Sequence, residues 1–366
     1  MSTVAEGAQF MAFGERLRLA RLRAGLSLAG LAEKLTPKVS AQAINKYELG
    51  EMMPSSGVLV SLAQTLGVSL DFLMSNQVVA LDGVEFRKRA KTSEKERALV
   101  EAEVIDHVER YLAIEDILAL PEQPSALDDF KPEHIVDLAA AETKATQLRD
   151  AWNLGGDPIP SMTALLEERN VRVLEIGGHD GFFGLTCHVK RPQGKSDIRV
   201  VVRRNVNVER NRFTLAHELG HALIADCEEA KEEKAMDRFA GSFLMPAEHL
   251  KNEIGTDRKA LAYEELVRLK HMYGVSIMAL IYRLKDLEII SEATLKNIFR
   301  TPARAWLKQE PDALQPNGEI ASLEKPKRFD SHVYRALVEG YIPSAKAATL
   351  LRRSVADVER AVKFAS

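Results

Sequence analysis

Cysteine is nearly absent: the 366 residues contain two, Cys187 and Cys227. No Cys-x-x-Cys spacing occurs. A disulfide framework is therefore excluded, and the usage fits a reducing cytoplasm. Cys227 follows His221 closely but reads as a partly buried thiol rather than a ligand. Long apolar runs are missing too. None approaches the ~18 residues of a membrane span, so no membrane partner is expected. Residues Met1–Gly7 lack a basic stretch followed by an apolar one, so no secretory leader is expected. Nor does charge of one sign dominate. The net charge of −3 exerts no global pull toward nucleic acid, which confines any DNA contact to a local face. No repeat of 20–50 residues is apparent. What is present, 46% hydrophobic and 28% charged residues, is ordinary for a chain of two or three domains.

The most informative stretch is Arg212-Phe213-Thr214-Leu215-Ala216-His217-Glu218-Leu219-Gly220-His221-Ala222-Leu223. On a helix, His217 and His221 lie one turn apart on one face, so both imidazoles can reach one metal ion. Glu218 stands beside them, placed to hold and deprotonate a water. This is the arrangement of zinc peptidases. The apolar flanks suit a buried helix. Gly220 costs roughly 1 kcal/mol relative to Ala inside a helix, which suggests that another element packs closely there. Without a third ligand, the pattern would equally fit a buried helix with two hydrogen-bonded histidines.

Candidates for that ligand lie downstream. Met236, Phe239, Ala240, Phe243 and Leu244 recur with helical spacing until Pro246 ends the run. Glu233 and Asp237 share one face of this helix. A Glu completes a His2Glu set, and an Asp one turn on can accept from a ligating imidazole and fix its tautomer. Glu228 and Glu232 compete for the third position, and the run Glu228–Glu233 also reads as a solvated acidic face.

The stretches RFTLAHELGHAL and EKAMDRFAGSFLMP resemble the ImmA/IrrE metallopeptidases, bacterial and phage proteins that relieve repression by cleaving repressors. The resemblance implies Zn2+ bound by His217, His221 and Glu233, with Glu218 as the catalytic base. Met236 stands where the family usually has Ala, and Asp237 where Asn or Asp is usual. Neither position is a ligand.

Residues 12–75 read as five short helices. Phe13, Leu17 and Ala20 mark one amphipathic face and Leu28, Leu31 and Ala32 a second, separated by Arg23-Ala24-Gly25-Leu26. Ser27 can cap the second helix. Ser40 is a good N-cap for the next helix and Gly50 a good stop. Ile44 and Tyr47 would face the core, leaving Gln42, Asn45 and Lys46 outward. A helix-turn-helix presents such a helix to the major groove, where Gln and Asn read adenine edges and Lys and Ser hold phosphates. The candidate DNA contacts are therefore Ser40, Gln42, Asn45 and Lys46. Arg16, Arg18, Arg21, Arg23, Lys34, Lys38 and Lys46 are expected to supply local positive charge. The stretch from LSLAGLAEKL to SLDFLM resembles the Cro/C1-type (XRE) helix-turn-helix family over about 65 residues. The family's usual Arg near the start of the recognition helix is absent. A five-helix bundle that binds protein instead would share this pattern.

Alternation over residues 76–90 suggests a strand or extended linker. Thr92–Leu120 lacks Gly and Pro and should form one long helix. It offers a homodimer seam or a spacer packed on the peptidase, and spacing alone does not choose. A helix is expected over 133–155 and another from Met162 to Arg169. Strands are expected at Val171–Ile176, Phe182–Val189 and Ile198–Val202, with turns at Gly177-Gly178, Gly181 and Pro192-Gln193-Gly194. Asn211 is the expected cap of the His217 helix. Helices at 259–272 and 276–286 follow. They carry His271, Tyr273, Tyr282 and Arg283, which read as structural or as stabilisers of a reaction oxyanion. The tail from Pro302 is proline-bearing until Phe329, then helical at 331–340, 344–351 and from 354.

The sequence thus predicts a mainly α protein with a small β-sheet (α+β): a five-helix bundle and a zincin-like domain. The expected divisions are 12–76 for helix-turn-helix, 77–132 for linker and long helix, 133–300 for peptidase, and 301–366 for a helical segment without assigned chemistry. The expected function is a cytoplasmic DNA-binding regulator with a zinc-dependent endopeptidase domain that cuts a repressor. A non-proteolytic transcription factor with a metal- or ligand-sensing zinc site, and the DNA-binding antitoxin of a two-gene operon, are the alternatives.

Overall fold

A computed structural model describes residues 2–68, 70–74, 80–82, 94–176, 184–191, 198–204, 207–300, 306, 309–315 and 318–363. The expected turns at Gly177-Gly178, Gly181 and Pro192-Gln193-Gly194 lie outside these, as does most of the strand or extended linker expected over 76–90.

Five helices open the chain: α1 Ser2–Arg23, α2 Leu28–Lys34, α3 Ala41–Glu48, α4 Ser56–Leu66 and α5 Leu70–Met74. Ser27 and Ser40 cap α2 and α3, accepting from Gly30 N at 3.0 Å and Ala43 N at 3.1 Å. Each cap satisfies an amide that the helix cannot. Phe13, Leu17, Leu31, Ile44, Tyr47 and Leu62 form the core of the bundle. α1 crosses α3 at backbone contact. A Cβ on Gly14 would sit 2.8 Å from the Tyr47 carbonyl oxygen and 2.9 Å from the Glu48 carbonyl carbon, with the Glu48 oxygen nearer still. Backbone cannot yield as a side chain does. Gly14→Ala is expected to cost about 1–3 kcal/mol and to lower the melting temperature of the bundle. Unaltered melting would refute this close crossing.

Two of the seven basic residues expected to draw DNA do other work. Arg16 is 2% exposed, paired with Glu109 and donating to Phe72 O at 2.8 Å. Arg21 grips Glu48 at 2.6 and 2.8 Å. Each is buried against a carboxylate from a distant element, so its charge is neutralised inside the fold.

The long helix α6, Glu94–Ile117, is an integral part of the fold. Val100, Val104, Ile105 and Val108 join the bundle core, which continues into one face of a sheet through Leu174, Ile176, Leu185, Cys187 and Val189. The sheet contains β1 Ala80–Asp82, β3 Arg172–Ile176, β4 Gly184–Lys190 and β5 Ile198–Arg204 in the order β1-β4-β5-β3. β1 and β5 run antiparallel to β4, and β3 runs parallel to β5. Alternate residues such as Val173 and Val201 face the other way, into a second core.

That second core is built by α7 Leu138–Ala151, α8 Met162–Glu168, α9 Val208–Leu223, α10 Glu232–Leu244, α11 Ala247–Ile254, α12 Tyr263–Tyr273, α13 Ile277–Asp286 and α14 Glu292–Arg300. Residues 133–135, expected to be helical, form strand β2. It pairs in parallel with β6, Ile224–Cys227. Tertiary pairing overrides the local helical pattern, and α7 starts only after Asp137, which caps it by accepting from Ala140 N at 2.8 Å.

α15 Glu319–Leu323 precedes three terminal helices, α16 Arg328–Val338, α17 Ser344–Leu351 and α18 Val355–Val362. The expected boundary at 301 is crossed by buried polar contacts. Leu314 N donates to Glu209 at 2.9 Å, and Glu310 lies 3.1 Å from Lys270. Glu324 reaches α8 and α9. Residues 309–315 and 318–324 thus pack against the second core, and the terminal cluster proper begins near Phe329. It closes over the end of α6 at Tyr111 and Ile114.

His107 of α6 lies at this junction, its ring centroid 5.1 Å from that of Phe329. Burial, then the charge of Arg110, pushes its pKa down to about 3. The folded ring stays neutral, whereas in the unfolded chain it protonates below about 6.5. Its contribution to stability is therefore fully present above pH 6.5 and is lost as the pH falls toward 3. The stability advantage of wild type over His107→Gln should shrink between pH 7 and pH 5 in thermal melts. A constant difference would contradict it.

Candidate metal centre and nucleic-acid interface

α9 begins one turn earlier than expected. Asn207, not Asn211, is its cap, accepting from Arg210 N at 2.9 Å; Asn211 is buried within the helix. Leu215, Ala216, Leu219, Ala222 and Leu223 bury α9 against the sheet and α10. Strand β6 turns the chain so that α10 returns across α9. At the crossing, a Cβ on Gly220 would meet the Met236 sulfur at 2.7 Å and Phe239 Cδ1 at 3.4 Å. That close approach is why the helix carries glycine beside the two histidines.

His217, His221 and Glu233 bring one ligand atom each within 4.8 Å of one another. His217 Nδ1 lies 2.7 Å from Asp237 Oδ1, and its Nε2 lies 3.7 Å from Glu233 Oε2. His221 Nδ1 lies 3.2 Å from Glu232 Oε1. Each imidazole thus turns Nδ1 toward a carboxylate of α10, which favours the tautomer that leaves Nε2 as a metal donor. Local pattern alone does not predict the pairing of Glu232 with His221. A signal for it is nevertheless present: on α10, the position before Glu233 presents a carboxylate to the second histidine. Glu228 is engaged elsewhere, 3.3 Å from His134 Nε2. Cys227 lies outside the ligand group, with Sγ 4.0 Å from Val136 O.

Glu218 is 2% exposed. Thr186 of β4 hydrogen-bonds its Oε2 at 3.2 Å, so the sheet helps to hold the carboxylate. Thr186 is a second residue that local pattern does not single out. His217 is 5% exposed, and its Nε2 has no hydrogen-bond partner among the described residues. A buried imidazole nitrogen left in this way costs stability unless something coordinates it. Two imidazoles and one carboxylate are a donor set suited to zinc, so the residues fit that ion.

The four residues considered for oxyanion stabilisation are engaged otherwise. His271 meets Asp312 at 2.8 Å, and the Tyr273 hydroxyl meets His249 Nδ1 at 2.7 Å. Arg283 binds Glu142 at 2.8 Å and Met245 O at 3.1 Å. Tyr282 packs its ring against Phe299. Tyr282 also lines a cleft of about 840 Å³ that adjoins Asp237 and includes Phe213, Met278 and Trp306.

In the N-terminal bundle, Ser40, Gln42, Asn45 and Lys46 are all exposed on one end and outer face of α3, while Ile44 is fully buried and Tyr47 nearly so. Lys34 and Lys38 are exposed nearby in sequence.

Residues 183–285 match the family model of the IrrE N-terminal-like domain, a peptidase family, and residues 17–73 match that of the helix-turn-helix. The chain thus combines a segment similar to the helix-turn-helix with one similar to the IrrE N-terminal-like domain. Over 70 residues the chain is 37% identical to the SPbeta prophage-derived uncharacterized HTH-type transcriptional regulator YonR of Bacillus subtilis (strain 168). That match spans 19% of this chain and 63% of the relative, so less than two thirds of the relative's length is covered. No helix among the described residues is long and apolar enough to cross a membrane.

Proposed function

We propose that this protein is a cytoplasmic transcriptional regulator that binds DNA through α3 and cleaves a repressor protein with a zinc-dependent endopeptidase domain. The observation that carries the reading is the convergence of His217, His221 and Glu233 beside the buried Glu218. Zinc, when bound by these three, supplies Lewis acidity toward a peptide carbonyl and acidifies water. Glu218 takes the proton of the attacking water and returns it to the leaving amine. Asp237 and Glu232 hold the two imidazoles in register. The cleft beside Asp237 offers a stretch of polypeptide an apolar wall at Phe213, Met278 and Trp306. Ser40, Gln42, Asn45 and Lys46 contact the duplex, Gln42 and Asn45 at base edges and the other two at phosphates.

The test compares new protein N-termini in host cells carrying wild type or Glu218→Gln, which keeps all three ligands and α3. A repressor fragment seen only with wild type is the expected result. Identical N-termini, with zinc still bound, would instead establish a non-proteolytic regulator.

A further inference from the structure

The terminal cluster repeats the construction of the N-terminal recognition unit. α17 and α18 are joined by only Arg352, Arg353 and Ser354, the turn length of a helix-turn-helix. Arg352 is left-handed, at φ 53° and ψ 43°, the conformation that a sharp turn out of a helix requires. Ser354 caps α18 by accepting from Asp357 N at 3.1 Å, and Val358, four residues after the cap, is fully buried. In α3, Ser40 accepts from Ala43 N at 3.1 Å, and Ile44, again four residues after the cap, is fully buried. Both helices have eight residues. α16 supplies the third helix of the core through Phe329, Val333 and Ala336.

We propose that α16–α18 form a second helix-turn-helix, with α18 facing double-stranded DNA. Burial leaves that face available. In α18 only Val358 is buried and only Val362 intermediate, whereas the other six residues are exposed. Charge points to the occupant. Residues 344–363 carry five basic and two acidic side chains, in a chain whose net charge is −3. Arg352, Arg353 and Arg360 meet Asp106, Asp330 and Asp357 at the surface, with side chains still 53%, 44% and 74% exposed, unlike the buried Arg16. Lys346 and Arg360 are exposed on α17 and α18. Such a local excess attracts phosphates despite the acidic whole. Both units are mounted on α6, the first at Val104 and Val108 and the second at Tyr111 and Ile114. At 1.5 Å per residue, Val104 and Ile114 are about 15 Å apart along the helix. One continuous rod therefore ties the two units together.

The test uses the full chain and a random-sequence 40-base-pair duplex, with affinity measured by fluorescence anisotropy across salt concentrations. Lys346→Glu with Arg360→Glu is compared with wild type and with Lys259→Glu plus Lys296→Glu, an equal charge change on exposed residues of the peptidase domain. The terminal pair should weaken binding at least tenfold at low salt. It should also reduce the slope of log K against log salt by about two, one for each phosphate no longer neutralised. The control pair should change neither by comparable amounts. Equal behaviour of the two double variants, each melting like wild type, would overturn the proposal. So would weakened binding with an unchanged slope, or capture of a protein partner by α18 with DNA affinity intact.

Discussion

Replacing Glu324 by Ala is expected to destabilise the IrrE-like part of the fold by about 3–5 kcal/mol, the usual effect of removing one partner from a buried ion pair. Glu324 and Arg212 each have side chains 2% exposed and pair directly. The Glu324 carboxylate also accepts from Met162 N at 2.8 Å and Thr163 N at 3.0 Å, closing the start of α8. Arg212 donates further to Ile159 O at 2.6 Å and Tyr273 O at 3.1 Å. Removing the carboxylate leaves a buried guanidinium without its counter-charge and two helix amides without their acceptor. Arg212 lies on α9, five residues before His217, so the loss falls on the helix that presents both histidines. Glu324→Gln retains one acceptor and should cost less. Urea unfolding of the full chain, read by zinc release and by circular dichroism, checks both. Equal stability of Glu324→Ala and wild type would show that the tail does not support the site.

His217→Ala should abolish stoichiometric zinc binding, since it leaves one imidazole and one carboxylate. Asp237→Asn and Glu232→Gln should each keep zinc but weaken it about 10- to 100-fold, as loss of a partner that orients a ligand does. The two effects are expected to multiply, because the carboxylates act on different histidines: Asp237 at 2.7 Å from His217 and Glu232 at 3.2 Å from His221. Competition with a chromophoric chelator measures wild type, the three single variants and the variant that combines Asp237→Asn with Glu232→Gln. If Glu232→Gln instead binds like wild type while Asp237→Asn is weakened, the His221–Glu232 contact carries no orienting role.

The two predictions bear on one architectural point. A linker and an unassigned tail would leave the metal helix supported only by its own domain. Instead α6 joins the bundle core to the back of the sheet, and residues 309–315 and 318–324 brace α9, α12 and α8 through Glu209, Lys270 and Glu324.

The sequence by itself determined whatever depends on short spacing. His217 and His221 share a face because a helix repeats every 3.6 residues, and Gly220 announces a close neighbour, which the fold supplies as Met236. Ser27 and Ser40 are legible as caps, and Ile44 and Tyr47 as core, for the same local reason. Where interactions join distant segments, only the tertiary structure decided. Arg16 and Arg21 read as DNA-facing charge in the sequence, yet the fold sets Glu109 and Glu48 beside them. Residues 133–135 leave the helical pattern because β6 offers a parallel partner. Glu324 stands in a proline-bearing tail that promises no chemistry, yet it completes an ion pair with a residue over a hundred positions earlier. Periodicity records which face of an element is buried. It carries no record of which charged group waits on the other side, because burying an ion requires a partner in space rather than in sequence.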